Sequence, residues 1–134
     1  MPEPSNDAES SNRGSSSIRV LVVDAFDPLA ILFLNILAAN NYDVRVAHTG
    51  EKALRIAEHF RPHALIADVT LPDMGGFELA AEFEIQHPDC RVILMRAGGL
   101  ETPKGKNVLR VVQKASVLEE ALRLLDGLQA AKED

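Results

Sequence analysis

The sequence predicts an α/β domain built on a doubly wound, five-stranded parallel sheet. Three observations carry that prediction. Short β-branched runs alternate with longer helical patterns, as βα units do. Two of the runs are apolar without alternation, as strands covered on both faces are. And 46% of the 134 residues are apolar, enough to bury one core without metal or disulfide staples and too many for a disordered chain.

Residues 1–17 hold six serines, two prolines and no Val, Ile, Leu or Phe. They have little to bury against the entropy of ordering and are expected to form a disordered tail. The folded body is expected over residues 18–130, with 131–134 frayed. Strands are predicted at Ile18–Val23 and Ala64–Ala67, both buried, at Tyr42–Ala47, which alternates like an edge strand, and at Arg91–Met95 and Val108–Val112. Cap chemistry marks the helix starts: Asp27 before Pro28, Thr49 before Gly50-Glu51, and Ser116 three residues ahead of Glu119. The helices are then Pro28–Asn40, Gly50–Phe60, Gly76–His87 and Val117–Leu128. Between Met95 and Val108 the chain reads RAGGLETPKGKN, whose glycines and proline leave room for a short helix at most.

Charge and cysteine content exclude several functions. With 14 Lys+Arg against 20 Asp+Glu the formal charge is −6, which argues against nucleic acid as a partner. Lys104 and Lys106 lack aromatic neighbours and read as a solvated loop. The single cysteine, Cys90, allows no internal disulfide and reads as a buried, inert thiol. No apolar run approaches the roughly 20 residues of a membrane span, and no signal-peptide pattern opens the chain, so a soluble, cytoplasmic protein is expected. His48, His59, His63 and His87 show no metal-ligand spacing and read as solvated.

Parallel α/β sheets place their chemistry beyond the carboxyl ends of the strands. Asp24 follows the first strand and Asp68 the third, and right-handed crossovers commonly set those two strands side by side. Two carboxylates so placed favour a shared proton or a cation such as Mg2+. Lys114, just past the fifth strand, brings an ammonium suited to a phosphoryl oxygen to the same rim. Taken singly each has a duller reading: Asp24 satisfying loop N–H groups, Asp68 in a surface turn, Lys114 solvated.

VLVVDAFDP, ALIADVTLPDMGGFEL and VVQKAS together resemble the response regulator receiver domain of two-component signalling, over roughly residues 18–128. The most specific element is Asp68 followed by Leu71-Pro72-Asp73-Met74 and a glycine. The resemblance implies strand order 2-1-3-4-5. It also implies that Asp68 takes a phosphoryl group from a phosphohistidine, that Asp24, Asp68 and the Thr70 carbonyl bind Mg2+, and that Lys114 contacts the phosphoryl group. Positioning and charge neutralisation then supply most of the rate.

The chain departs from the family pattern at four positions. Ala25 stands where a second acid commonly binds Mg2+, so metal affinity is expected to be weak; Asp27 is better placed to cap a helix than to replace it. Arg96 stands at the usual Ser or Thr, where it either binds the phosphoryl group, pairs with Asp68 or extends into solvent. Val111 replaces the usual aromatic residue and Ala115 the usual proline. Two functions follow: a stand-alone receiver that accepts a phosphoryl group on Asp68, or a degenerate receiver that binds partners without phosphorylation.

The first predicted helix, LAILFLNILAA over Leu29–Ala39, has Asn35 as its only polar residue and is expected to be buried or docked. The resemblance assigns such a face to a histidine kinase or phosphotransfer protein, with Leu29, Leu32, Phe33 and Ile36 as docking residues; a homodimer competes. No output domain is expected after the last predicted helix, so output is expected through protein contacts. An enzyme reading finds no support. Asp24 and Asp27 have the wrong spacing for an Asp-x-Asp phosphotransferase, the AFDP loop is not a nucleotide or flavin loop, and Gly75-Gly76 and Gly98-Gly99 read as turn residues.

Overall fold

The computed structural model describes residues 17–96, 108–113 and 117–133. The 1–16 segment, the connection over 97–107, and Lys114, Ala115 and Ser116 lie outside the described residues, as do the side chain of Val111 and the expected short fourth helix. The elements are β1 (Arg19–Val23), α1 (Asp27–Ala39), β2 (Asp43–Ala47), α2 (Gly50–Phe60), β3 (Ala64–Asp68), α3 (Gly76–Gln86), β4 (Arg91–Arg96), β5 (Val108–Gln113) and α4 (Val117–Glu133). All strand pairs are parallel and the order is β2-β1-β3-β4-β5, as expected, with a register irregularity between Val92 and Ile93 where β4 meets β5.

Successive strand residues point to opposite faces, so an uninterrupted apolar strand builds two cores. Leu21, Val23, Leu65 and Ala67 pack with Ala53, Ala57 and Phe60 of α2 and Leu79 and Phe83 of α3. Val20, Val22, Ile66, Ile93 and Met95 face the other way, against Phe33 and Leu37 of α1 and Ala121 and Leu125 of α4. The alternation of β1 therefore sorts the helices between the two sides of the sheet. Tyr42, just before β2, donates its hydroxyl to Asp126 of α4 at 2.7 Å. Burial, followed by this hydrogen bond, raises its pKa well above the ordinary 10.0.

Four helix ends differ from expectation: α1 and α3 stop one residue early, at Ala39 and Gln86, and the other two have a clear physical reason. Asp27 is the first residue of α1 and Phe26 is its cap; the helix is opened by the Phe26 carbonyl, which accepts from Ala30 N–H at 3.1 Å, and by proline in the first turn. The last helix runs to Glu133, through residues expected to fray, because Leu-Gln-Ala-Ala-Lys-Glu are all good helix formers. Thr49 does cap α2, its hydroxyl accepting from Lys52 N–H at 3.1 Å.

The other end of α2 closes on Arg61 in the left-handed conformation, φ 49°, where glycine is the usual residue. Its N–H donates to Ala57 O at 2.9 Å. The Arg19 guanidinium from β1 donates to the carbonyls of Phe60, at 2.8 Å, and Arg61, at 2.8 and 3.0 Å, completing the helix end. Cys90 is buried, which pushes its thiol up to about 12 and keeps it in the inert state expected.

Candidate functional site

The register pairs Val23 of β1 with Ala67 of β3. The next residue on each strand is an aspartate, so Asp24 and Asp68 leave the sheet at neighbouring positions on strands about 4.8 Å apart. Both begin the same local structure. Asp24 Oδ1 accepts from Phe26 N–H at 2.7 Å, and Asp68 Oδ1 accepts from Thr70 N–H at 3.0 Å. Each carboxylate turns the chain out of its strand by bonding two residues on. They differ in depth: Asp24 is fully buried and Asp68 half-buried. The duller reading of Asp24 as a loop acceptor is thus realised, but half of a carboxylate suffices for it, and a buried carboxylate is a costly way to close a turn.

The Asp68 loop is held at both ends. Thr70 and Gly75 pair as an antiparallel bridge, and Gly76 N–H donates to Val69 O at 2.6 Å. Gly76 is no ordinary turn residue: a Cβ there would overlap the Asp68 carbonyl oxygen and come within 2.8 Å of Val69 Cα. Only glycine lets α3 start this close to the phosphoacceptor candidate. Asp73, at the loop tip, accepts from Gly50 N–H at 2.8 Å and Glu51 N–H at 2.9 Å, capping α2 from outside. Those two bonds, Gly50 first, lower its pKa below 3.8.

His48, after β2, ties down the Asp24 loop. Its Nδ1 lies 2.8 Å from Asp24 O and its Nε2 3.2 Å from Asp27 Oδ1. Asp27 therefore serves this bridge rather than a helix cap. The expectation that the histidines are solvated holds for His48 and His59, which are exposed, and fails for His63 and His87. His63 Nδ1 accepts from Arg19 N–H at 2.9 Å, and His87 is half-buried, its pKa lowered by burial first and by the Arg61 charge second. Sequence reasoning missed the roles of His48 and Asp73, which bond across more than 20 residues, and of Gly76, which packs on the Asp68 and Val69 backbone; only the Asp73-Met74-Gly75-Gly76 context hinted at two of them.

The remaining candidates fall as follows. Ala25 is exposed beside Asp24, and Thr70 is exposed beyond Asp68. Arg96 ends β4 next to β3, where Met95 is the partner of Asp68, and it is half-buried. Phe33 is not available for docking: it is 1% exposed and sits in the core, with Leu29 packed against the same cluster. Ile36 is half-buried. The exposed apolar face at this helix is made by Phe26 (59%), Ile31 (53%) and Leu32 (48%), since the helical phase turns Ala30, Phe33 and Leu37 inward.

The two strand-end aspartates supply oxygen donors of the kind Mg2+ takes, one carboxylate short at Ala25. Among the described residues no three His, Cys, Asp or Glu side chains cluster as a metal site, and no helix is long and apolar enough to cross a membrane.

The response regulator receiver domain family matches residues 20–111. The response regulator MprA of Mycobacterium ulcerans is 32% identical over 81 residues, 60% of this chain and 35% of MprA, and that of Mycobacterium tuberculosis H37Rv shows the same figures. The chain thus spans about a third of the length of the curated relatives it matches. A CheY-like receiver domain protein from Methanospirillum hungatei superimposes with TM-score 0.74 at 20% identity, covering 87% of this chain and 97% of that one. A Francisella response regulator receiver domain gives 0.74 at 21%, covering 86% and 98%. At such identities these likenesses speak for the fold.

Proposed function

Because the chain belongs to the response regulator receiver family, we propose that it is a phosphoryl-accepting module of a two-component phosphorelay, with Asp68 as the nucleophile. The observation that carries the reading is the β1–β3 register, which brings Asp24 and Asp68 to adjacent strand ends. A carboxylate oxygen of Asp68 attacks the phosphorus of a phosphohistidine in line. The P–N bond breaks, the imidazole nitrogen leaves with the electron pair, and an acyl phosphate remains on Asp68. The short Asx turn at Asp68 holds one carboxylate oxygen to the backbone and fixes the direction of the other. Asp24, Asp68 and the Thr70 carbonyl would hold Mg2+, which when bound neutralises charge on the phosphoryl oxygens. Lys114 is assigned to the same group.

The test is incubation of the full chain with Mg2+ and a small phosphoryl donor, followed by mass spectrometry. The expected result is a gain of one phosphoryl group in the wild type and none in Asp68→Asn. No gain, even from a phosphohistidine donor, would sink the reading. A second reading, a receiver that binds partners without phosphorylation, is favoured by Ala25 and Arg96. It predicts that Asp68→Asn leaves partner binding unchanged.

The partner in either reading is a histidine kinase or phosphotransfer protein in the cytoplasm, docking on Phe26, Ile31 and Leu32, with a homodimer through that face as the competitor. Leu32→Asp should then slow transfer from a phosphohistidine protein by about tenfold or more, the scale of a hot-spot loss. Labelling by the small donor should be unchanged; equal slowing with both donors would remove the docking role.

A further inference from the structure

At the edge of the sheet opposite Asp24 and Asp68, two neighbouring cavities of about 260 and 580 Å3 share Arg19 and Arg61. The smaller is also walled by His63, His87 and Cys90, the larger by Arg45, His59 and Phe60. Each has one carboxylate in its lining, Asp89 in the first and Asp43 in the second, and Asp43 already faces Arg45 at 4.0 Å. In a chain of net charge −6, this edge is locally basic.

The ordinary explanation for cations here is that helix carboxyl ends lie at this side of a parallel α/β sheet and need positive partners. Arg19 alone meets that need at α2, with three hydrogen bonds to the Phe60 and Arg61 carbonyls. The Arg61 side chain is exposed and makes no hydrogen bond or ion pair to any described residue. Its backbone is left-handed at φ 49°, a position where glycine costs less. Neither capping, pairing nor backbone preference accounts for an arginine there. A residue in a conformation that its type disfavours points to a use for its side chain. His87 adds a second sign, because its buried Nε2 has no hydrogen-bond partner among the described residues while the Arg61 charge acts on the same ring.

We propose that the cavity between Arg61, Arg19 and His63 binds a small oxyanion, a phosphate- or carboxylate-bearing metabolite, with the Arg61 guanidinium as its principal contact. A guanidinium presents paired donors to either group. The site lies at the opposite end of the strands from Asp68, so it is a second ligand position independent of phosphorylation.

The experiment is an amide NMR titration of the full chain in Mg2+-free, phosphate-free buffer, once with inorganic phosphate and once with citrate. Saturable shifts concentrated at Arg19, Arg61, His63 and His87–Cys90 are expected with at least one of the two, and which one identifies the class. Arg61→Gly should weaken that binding tenfold or more while melting no lower than wild type, since it also relieves the left-handed backbone. Asp68→Asn should titrate like the wild type, which separates this site from the phosphoacceptor reading. The proposal is overturned by absence of saturable binding with both probes, by shifts centred on Asp68–Thr70, or by unchanged affinity in Arg61→Gly.

Discussion

Replacing three glycines by alanine, one at a time, tests how the Asp68 loop is held. At Gly76 the new Cβ would overlap the Asp68 carbonyl oxygen and approach Val69 Cα to 2.8 Å. Both are backbone atoms beside a buried strand, so the clash is relieved only by moving α3 away from β3. Overpacking of this kind typically costs about 1–3 kcal/mol, and with no side chain to rotate aside the upper half of that range applies. Alanine recovers up to about 1 kcal/mol of helix preference, leaving a net loss of about 2 kcal/mol. At Gly50 the three atoms nearest the Cβ all belong to the Met74 side chain, with its sulfur at 2.5 Å. Methionine has three rotatable bonds and can step aside, so about 1 kcal/mol or less is expected. At Gly127, exposed within α4, nothing lies within 4 Å, and alanine should stabilise by about 0.5–1 kcal/mol.

Urea unfolding followed by circular dichroism measures all three, provided the slope m stays constant. The expected order of midpoints is Gly127→Ala, wild type, Gly50→Ala, Gly76→Ala. Equal midpoints for Gly76→Ala and Gly127→Ala would refute the close approach of α3 to the Asp68 backbone. Gly76→Ala should also lose phosphoryl gain from a small donor out of proportion to its folded fraction, because the helix that moves is bonded through Val69 to the nucleophile's own strand end.

Three further outcomes are expected. Ala25→Asp should tighten Mg2+ binding by about tenfold, as added ligand charge does at carboxylate sites; unchanged affinity by calorimetry would mean that Asp24 and Asp68 do not form the metal site. Asp73 has its pKa lowered by its bonds to Gly50 and Glu51, so its contribution is whole above pH 3.8 and is lost as the pH falls through its lower folded value. The gap in melting temperature between wild type and Asp73→Ala should therefore be constant from pH 7 to 5 and close in more acid solution; a gap that persists there would contradict the capping bonds. Tyr42 is the single tyrosine, so ultraviolet absorbance reports on it alone. With its folded pKa raised, its contribution is full below pH 10.0 and lost above it, so phenolate should form only as the protein unfolds in alkali. Titration near pH 10 in the folded state would count against the burial and the Asp126 bond.

What the sequence made legible was whatever depends on a residue and its near neighbours. Unbroken apolar runs marked β1 and β3, because a strand covered on both sides has no polar face to show. Thr49 marked the start of α2 by a bond three residues long. The adjacency of Asp24 and Asp68 was also legible, since handed crossovers leave few orders for three successive strands. The face of α1 was not read correctly, although the information was present. Asn35, the only polar residue between Leu29 and Ala39, sits one helical turn from Ile31, Leu32 and Ala39, and all four are exposed. Taking Asn35 as the outward marker would have put Phe33 in the core and Ile31 on the surface.

The residues that were missed share a different cause. His48 reaches back 24 positions to Asp24, and Asp73 reaches back 23 to Gly50, so each bond exists only after the sheet has assembled. Both follow strand or loop ends at the same rim and both bind backbone atoms, roles that no spacing rule encodes. Their placement still follows from the fold. In this sheet order β2 and β3 flank β1, so the residues leaving β2 and β3 are the ones able to brace the two ends of the site, His48 on the Asp24 loop and Asp73 on the loop after Asp68. The chain has alanine at position 25, yet two long-range bonds brace the loops that carry Asp24 and Asp68. That bracing fits a pocket whose carboxylate geometry matters, and the Asp68→Asn and Ala25→Asp measurements bear on it from opposite sides.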